Sequence, residues 1–411
     1  MRIRDALKAL YWVPTLDPNA TLPLIAQPPL VSVIVPAHNE QSTIGPCLES
    51  VLKQDYPHFE LILVDDRSQD LTASIAKSVP GADGNVRIIS IENLPPGWTG
   101  KCHALDVGVR HASGEWLAFL DADSCLHKSA LRLCYCEAIR RGANMVTLSP
   151  KFIVKTFWER ALQPAFAAMS CILYPLGSVN DPGSPVASAN GMFYMISRSA
   201  YDRIDGHRGV RELAVEDIGI GKRIKAAGLG LLFANGRKVL QTRMYTTFRG
   251  IVKGWTRILS ASMNYDMPTV LKYLGVHLLM SFPVMAASLY LYLSTAPAIW
   301  PSTWFLLPSL CAIEICVVSS WFCGQIGVPK KYSVLLTIGN LMLIWVYLIV
   351  VKKILCKDAL QWRGTTYHSS RYEPTTLEPH TSEIYSSSSS SVLAEAHWGE
   401  EASAYPRFRD S

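Results

Sequence analysis

No phosphate-binding loop of either familiar kind occurs in this sequence. The turn after the first apolar run reads Pro36-Ala37-His38-Asn39-Glu40 and has no GxGxxG to bring backbone against a pyrophosphate; the P-loop pattern is missing as well. A dinucleotide-dependent dehydrogenase and a P-loop nucleotidase are thereby excluded. Organised cysteine is also lacking. Ten cysteines are scattered, and Cys134 and Cys136, in a helical stretch, have neither CxxC spacing nor a second ligand pair. Zinc is therefore not expected, and the thiols read as reduced and packed in a cytosol-facing domain. The net charge of +6 is modest and no basic stripe interleaved with aromatics appears, which excludes nucleic acid as a partner. The opening MRIRDALKALYWVP has a basic start, but its apolar run is too short and too interrupted for a signal peptide or a span. A short amphipathic helix on a membrane and a surface helix packed on the domain are equal readings of it. Charge itself is scarce: 18% of residues against 49% hydrophobic, with the apolar surplus collected between about residues 273 and 351.

What is present is acid at the ends of apolar runs. Gly114-Glu115-Trp116-Leu117-Ala118-Phe119-Leu120-Asp121-Ala122-Asp123-Ser124 is a short buried-strand pattern that stops in two aspartates. Alternation along the strand puts Asp121 and Asp123 on one face while Ala122 turns away. Two carboxylates converging there suit Mg²⁺ or Mn²⁺ bridging to substrate phosphates; a strand followed by a helix-capping residue is the plainer alternative.

The chain repeats one unit of strand, acidic turn and helix. Leu30 to Pro36 is a β-branched run followed by a helix over about Ser42 to Lys53. Glu60 to Val64 is a second run ending in Asp65 and Asp66, with Ser68 and Asp70 placed to cap the next helix. Val86 to Ile91 is a third strand; a helix from about Cys102 to Ala112 then leads into the run that carries Asp121. This alternation predicts an α/β domain with a largely parallel sheet, whose ligands bind outside the carboxyl ends of the strands. Four acids (Asp65, Asp66, Asp121, Asp123) at those ends repel one another unless cations or donors compensate, which favours a metal or nucleoside site. Further on, Met145 to Pro150 reads as a strand, and Phe157 to Leu176 as an apolar helix broken by Pro164 and Pro175, with interfacial or substrate-covering placement preferred to a core one. Ala187 to Ile196 reads as a strand, Ser199 opens a helix, and a last helix is closed by Gly228. Glu216 and Asp217 stand in that helix's first turn, where acids also simply complement the dipole.

In order, VSVIVPAHNE, ELILVDDRSQD, WTGKCHAL, GEWLAFLDADS, ANGMFYMISRSAYDRIDGH and VEDIGIGKRIKAAG resemble the motifs of the inverting family-2 glycosyltransferases, over about residues 30–260. That family has the nucleotide-sugar-binding fold called GT-A. Within it the chain looks most like the membrane glycosyltransferases associated with hopene or carotenoid biosynthesis, and less like ceramide glucosyltransferases. The resemblance implies that Asp65 and Asp66 hold the nucleoside, that Asp121 and Asp123 carry metal and diphosphate, and that Asp217 is the general base. It further implies that Lys101 serves the diphosphate or sugar, with a solvated lysine at a helix start as the alternative. Asn190 and Gly191 would line the acceptor side, and Glu216 is counted among the substrate-binding residues. The QxxRW of processive synthases is reduced here to Ile251-Val252-Lys253-Gly254-Trp255, in which Trp255 is left to stack at the acceptor mouth. Arg243 and Arg249 read either as phosphate-facing charges or as interfacial anchors.

Three apolar segments, at about 273–296, 304–323 and 333–351, are each long enough to cross a hydrocarbon core of roughly 30 Å, and Glu314 lies inside the second. Basic groups at Lys272, Lys330, Lys331, Lys352 and Lys353 cannot all be cytosolic with three clean spans. The division expected is an interfacial or linker segment 1–29, a GT-A domain 30–260, a transmembrane region 261–356 and a juxtamembrane segment with a Ser-rich disordered tail 357–411. The whole reads as a multi-pass membrane enzyme with its catalytic domain facing the cytosol. It would move a sugar from a nucleotide sugar, UDP-linked by preference, to a hopanoid, carotenoid or similar polyisoprenoid-derived lipid. A polyprenyl-phosphate sugar transferase, a polysaccharide synthase and an inactive membrane scaffold are the competing readings.

Overall fold

The computed structural model describes residues 13–20, 27–293, 313, 316–324, 326–356, 360–362 and 365–367. The chain runs β1 (Val31–Ala37), α1 (Ile44–Leu52), β2 (Phe59–Asp66), α2 (Thr72–Lys77), β3 (Val86–Ile91), α3 (Gly100–Arg110), β4 (Trp116–Leu120), β5 (Ser124–Leu126) and α4 (Ala130–Arg141). It continues β6 (Met145–Ser149), β7 (Lys151–Phe152), α5 (Phe157–Leu173), α6 (Leu176–Asn180), β8 (Phe193–Ser197), α7 (Arg198–Arg203), α8 (Glu216–Ala226), β9 (Leu231–Asn235) and β10 (Leu240–Thr242). The helices α9 (Phe248–Ser262), α10 (Met267–Leu293) and α11 (Leu336–Leu355) follow, then a hairpin of β11 (Leu360–Trp362) and β12 (Thr365–Tyr367).

Seven strands form one sheet in the order β3-β2-β1-β4-β8-β6-β9. β8 alone runs antiparallel to its neighbours β4 and β6; the other pairs are parallel. The β-branched runs form these strands because both sheet faces are covered, so side chains pointing either way are buried. Val31, Val33 and Val35 enter a core with α1 and α4 on one face, whereas Ile34, Ile62 and Val64 enter a core with α3 and α8 on the other. Each such side chain contributes about 1.5–3 kcal/mol relative to exposure. A smaller sheet, β5-β10-β7, packs beside the main one.

Several expectations shift by a few residues for local reasons. Asp121 and Asp123 lie outside regular strand, in the turn between β4 and β5, where Ser124 N–H donates to the Asp121 carbonyl at 3.0 Å. Alternation along a strand is therefore not what orients them. The strand expected over 187–196 is ordered only as Phe193–Ser197, and Ser197 rather than Ser199 caps the next helix, its Oγ accepting from Ala200 N–H. Asp70 accepts from Thr72 N–H at 3.0 Å at the start of α2, while Ser68 Oγ accepts from Asn39 N–H and ties the turn after β1. Gly228, at φ +70°, ends α8 as its composition suggested.

Helix α5 passes through Pro164 without interruption and starts with a capping box of Thr156 and Glu159. It belongs to a third core with α9 and α11, formed by Leu162, Phe166, Met169, Ile251, Leu259, Leu343, Val346 and Val350. Pro164, Phe166 and Met169 are buried, while Phe157 and Trp158 at the amino end are exposed, so the helix is part core and part surface.

Among the described residues one helical run, Lys330–Leu355, is long and apolar enough to cross a membrane. Of the three spans expected, the third coincides with this run; the first falls on α10, and most of the second, with Glu314, lies outside the described residues, as do residues 1–12 and the Ser-rich tail.

Candidate active site

The carboxyl ends of the parallel strands gather the acids. Asp65 and Asp66 close β2, two strands over from β4, and both are buried. Asp65 Oδ1 accepts from Ser68 N–H at 3.3 Å; Asp66 is held by its neighbour Arg67, whose Nε and Nη2 donate to the two carboxylate oxygens at 2.7 and 3.0 Å. Arg67 takes a left-handed φ of +58° and His38 Nδ1 sits 2.5 Å from the Asp66 carbonyl oxygen.

Lys101, in the first turn of α3, reaches across to the next pair of strand ends. Its Nζ lies 2.7 Å from Asp121 Oδ1 and 2.7 Å from Glu216 Oε1. Asp217 faces the same point: its Oδ2 accepts from Gly191 N–H at 2.6 Å and its Oδ1 from Ile218 N–H at 2.8 Å. A Cβ on Gly191 would stand 3.0 Å from Lys101 Nζ, 3.1 Å from Asp217 Oδ2 and 3.3 Å from Glu216 Oε1, so a bare backbone is what lets the cluster close. The turn holding Gly191 is itself fixed, with Asn190 N–H donating to Thr147 Oγ1 at 2.8 Å and Asn190 Oδ1 accepting from Met192 N–H at 3.2 Å.

Electrostatics separate the two adjacent acids. Burial and the neighbouring charge of Glu216 push Asp217 up to about 7 against the opposing pull of Lys101. Burial acts on Glu216 in the same direction, but the Lys101 ammonium at contact distance outweighs it and holds the carboxyl below its ordinary value. Burial opposes the Lys101 charge, and Asp121, Glu216 and Asp217 outweigh that and keep it protonated. The arrangement leaves Glu216 a permanent anion and Asp217 able to take up a proton near neutrality. His207 cannot compete for that work. It is fully buried between Tyr194 and Tyr201, each hydroxyl 2.8 Å from one ring nitrogen, and burial drives it down to about 3.

Asp123 turns toward the small sheet, where the Thr242 and Ser124 hydroxyls donate to its Oδ1 at 3.4 and 3.3 Å. With Asp121 it offers two half-exposed hard oxygen donors, and among the described residues no group of three or more His, Cys, Asp or Glu side chains is placed to cage an ion. That donor set fits a hard divalent cation drawing its remaining ligands from substrate phosphates and water.

Of the residues singled out from sequence, Lys101, Asp121, Asn190, Gly191, Glu216 and Asp217 converge, with Asp65, Asp66 and Asp123 along the same edge. Trp255 does not join them. It is 4% exposed, stacks on Phe166 at 4.5 Å and 5°, and donates its indole N–H to Gln163 Oε1 at 3.1 Å. Its faces are engaged in the helical core, which corrects the expectation that it stacks on an acceptor. Arg243 is likewise engaged, pairing at 3.0 Å with the fully buried Glu159, whose other oxygen accepts from Lys155 and Thr156 N–H. Sequence reasoning passed over Arg67, Thr147 and Arg257. Arg257, on α9, donates to the Ala214 carbonyl at 2.7 Å and thereby ties the helical region to the loop that leads into Glu216 and Asp217 at the start of α8. Its partner is 43 residues away, and nothing local signals the pairing.

Residues 32–205 match the model of glycosyl transferase family 2. Those residues are a family-2 glycosyltransferase domain. The mostly parallel sheet with one reversed strand is the GT-A arrangement expected of it. The 4,4'-diaponeurosporenoate glycosyltransferase of Staphylococcus aureus is 28% identical to this chain over 244 residues, 59% of the chain and 64% of that relative. Among solved structures, a mannosyltransferase from Pyrobaculum calidifontis in complex with GDP-Man and Mn²⁺ aligns at a TM-score of 0.46 and 19% identity, covering 79% of this chain and 91% of that one. S. aureus TarS 1-349 in complex with UDP-GlcNAc aligns at 0.37 and 16%, covering 84% and 97%. The family match ends before Glu216 and Asp217, which complete the cluster from outside the matched stretch.

Proposed function

We propose that the chain is an inverting glycosyltransferase that moves a sugar from a nucleotide-diphosphate donor to a hydroxyl or carboxyl on a polyisoprenoid-derived lipid at a membrane. The observation that carries this reading is the convergence of Asp121, Glu216 and Asp217 on Lys101 and Gly191, with Asp217 raised toward neutrality and Asp121 paired with a cation. The domain 30–260 does the chemistry; the helices beyond it hold it at the lipid surface. Asp65 and Asp66 close the nucleoside end. Asp121 and Asp123 would hold Mg²⁺ or Mn²⁺, which when bound supplies positive charge to a departing diphosphate. Lys101 adds a fixed positive charge on the same side. The acceptor oxygen forms its bond to the anomeric carbon as the bond to the diphosphate breaks, and its proton passes to Asp217. One displacement inverts the centre. A carotenoid-type acceptor is favoured by the name of the S. aureus relative, and a UDP-sugar is the preferred donor.

The raised Asp217 favours an acceptor whose attacking oxygen carries a proton, a hydroxyl or an un-ionised carboxyl, over a lipid phosphate, which needs no base. Full-length protein in detergent, assayed for sugar transfer to extracted lipid, tests this. Asp217→Asn and Asp123→Asn should each lose about 10²–10⁴-fold in rate. Transfer that survives in Asp217→Asn but not in Asp123→Asn would show that the acceptor needs no base.

A further inference from the structure

We propose that Lys101 is the resident counter-ion of the diphosphate corner, contending with the divalent cation for Asp121 so that the cation loads with the nucleotide and not before it. This rests on the glycosyltransferase reading above. Three observations carry it. The ammonium is 2.7 Å from an oxygen of Asp121, one of the two carboxylates available to the ion. It is equally close to Glu216 on the opposite side, and the Gly191 backbone leaves no room beside it, so it is held in place by a second anchor and a wall. And the donor set is thin, two half-exposed carboxylates with no third ligand residue placed to assist among the described residues.

A divalent cation arriving alone meets an Asp121 already paired with a full positive charge, and the repulsion between the two cations in a partly buried site opposes its entry. A nucleoside diphosphate reverses the balance. Its oxygens provide the ligands that the protein lacks and enough negative charge for both cations, so ammonium and metal ion no longer exclude each other. The same pairing partly offsets the charges of Asp121 and Glu216 between turnovers, so that the acids around Lys101 are held together with a cation of the chain's own.

The test uses full-length protein in detergent micelles and the free Mn²⁺ signal in electron paramagnetic resonance, with and without UDP or GDP. Wild type should bind Mn²⁺ at least tenfold tighter with a nucleoside diphosphate than without. Lys101→Gln should bind Mn²⁺ alone at least tenfold tighter than wild type, and Lys101→Arg, which keeps the charge, should behave as wild type. Nucleotide-assisted binding in wild type together with an unchanged Lys101→Gln overturns the counter-ion role and leaves the proposed function standing. If Lys101→Gln fails to fold, equal Mn²⁺ affinity of wild type with and without nucleotide overturns it. Absence of Mn²⁺ binding even with nucleotide overturns the metal in the proposed function, and this inference with it.

Discussion

At the scale of single residues, function turns on which of two adjacent acids is ionised. Asp217 is raised by burial and by Glu216, while Glu216 is held down by Lys101, although only one peptide bond separates them. A carboxyl whose value is pushed up to about 7 is protonated below that pH and cannot accept a proton there. The acid limb of kcat/KM should therefore fall near 7, instead of near the ordinary aspartate value of about 4, and should vanish in Asp217→Asn. A limb that stays in that variant assigns the titration elsewhere. The same shift has a sign for stability: the folded state keeps the proton that the unfolded chain has lost, so Asp217 lowers stability as pH rises from about 4 to about 7. Glu216 and Asp217 were legible from sequence because the VED motif resembles the family's, whereas acids in a helix's first turn alone read equally as dipole complements. Their division of roles was not, since it depends on a lysine 115 positions away in the chain. Trp255 shows the converse. A tryptophan left over from a QxxRW motif reads as a ligand platform, but Phe166 and Gln163 engage its ring and its N–H.

At the scale of elements, the parallel strands were readable because their β-branched runs are buried on both faces, and their helices because caps and glycines mark the ends. The turn holding Asp121 and Asp123 was misjudged as strand for a physical reason: a short apolar run shows where a strand begins, whereas its end is set by the ladder, and β8 pairs with β4 only from Trp116 to Leu120. The join between domain and helices was also hidden. Helix α11 approaches α5 so closely that a Cβ on Gly339 would lie 2.2 Å from the Ala161 carbonyl oxygen and 2.7 Å from the Ala165 Cβ. Two helices meet there through small residues, a packing that no single segment announces. Gly339→Ala should push the helices apart at a cost of about 1–3 kcal/mol, as overpacking does. Thermal unfolding in detergent reads this as a lowered midpoint; an unchanged midpoint would show that the interface is loose.

At the scale of the whole molecule, the apolar surplus of the C-terminal third is divided between two surfaces. One face of α11 (Gly339, Leu343, Val346, Tyr347, Val350) is buried against neighbouring helices, while Ile338, Leu341, Trp345, Leu348 and Leu355, at helical spacing, stay exposed together with Val334 just ahead of them. That exposed stripe is continuous with an aromatic row on the domain: Trp345 lies 6.1 Å from Phe248, and Phe248 lies 4.6 Å from Trp158. In water such a surface is a liability; against hydrocarbon it costs little, and Trp is favoured where apolar and polar phases meet. The domain's own helices α5 and α9 would then rest at the bilayer surface with their amino ends, bringing the cluster around Asp217 toward dissolved lipid. Nitroxide labels in liposomes measure this directly, in a background with the exposed Cys316 and Cys356 changed to serine. Labels at Leu341 and Leu348 should be relaxed by oxygen and shielded from a water-soluble nickel complex, and a label at Arg140, on α4, should show the reverse. Labels at Leu341 and Leu348 that are as accessible to nickel as the one at Arg140 would place the stripe in water, and the lipid acceptor would then have to reach the site by another route.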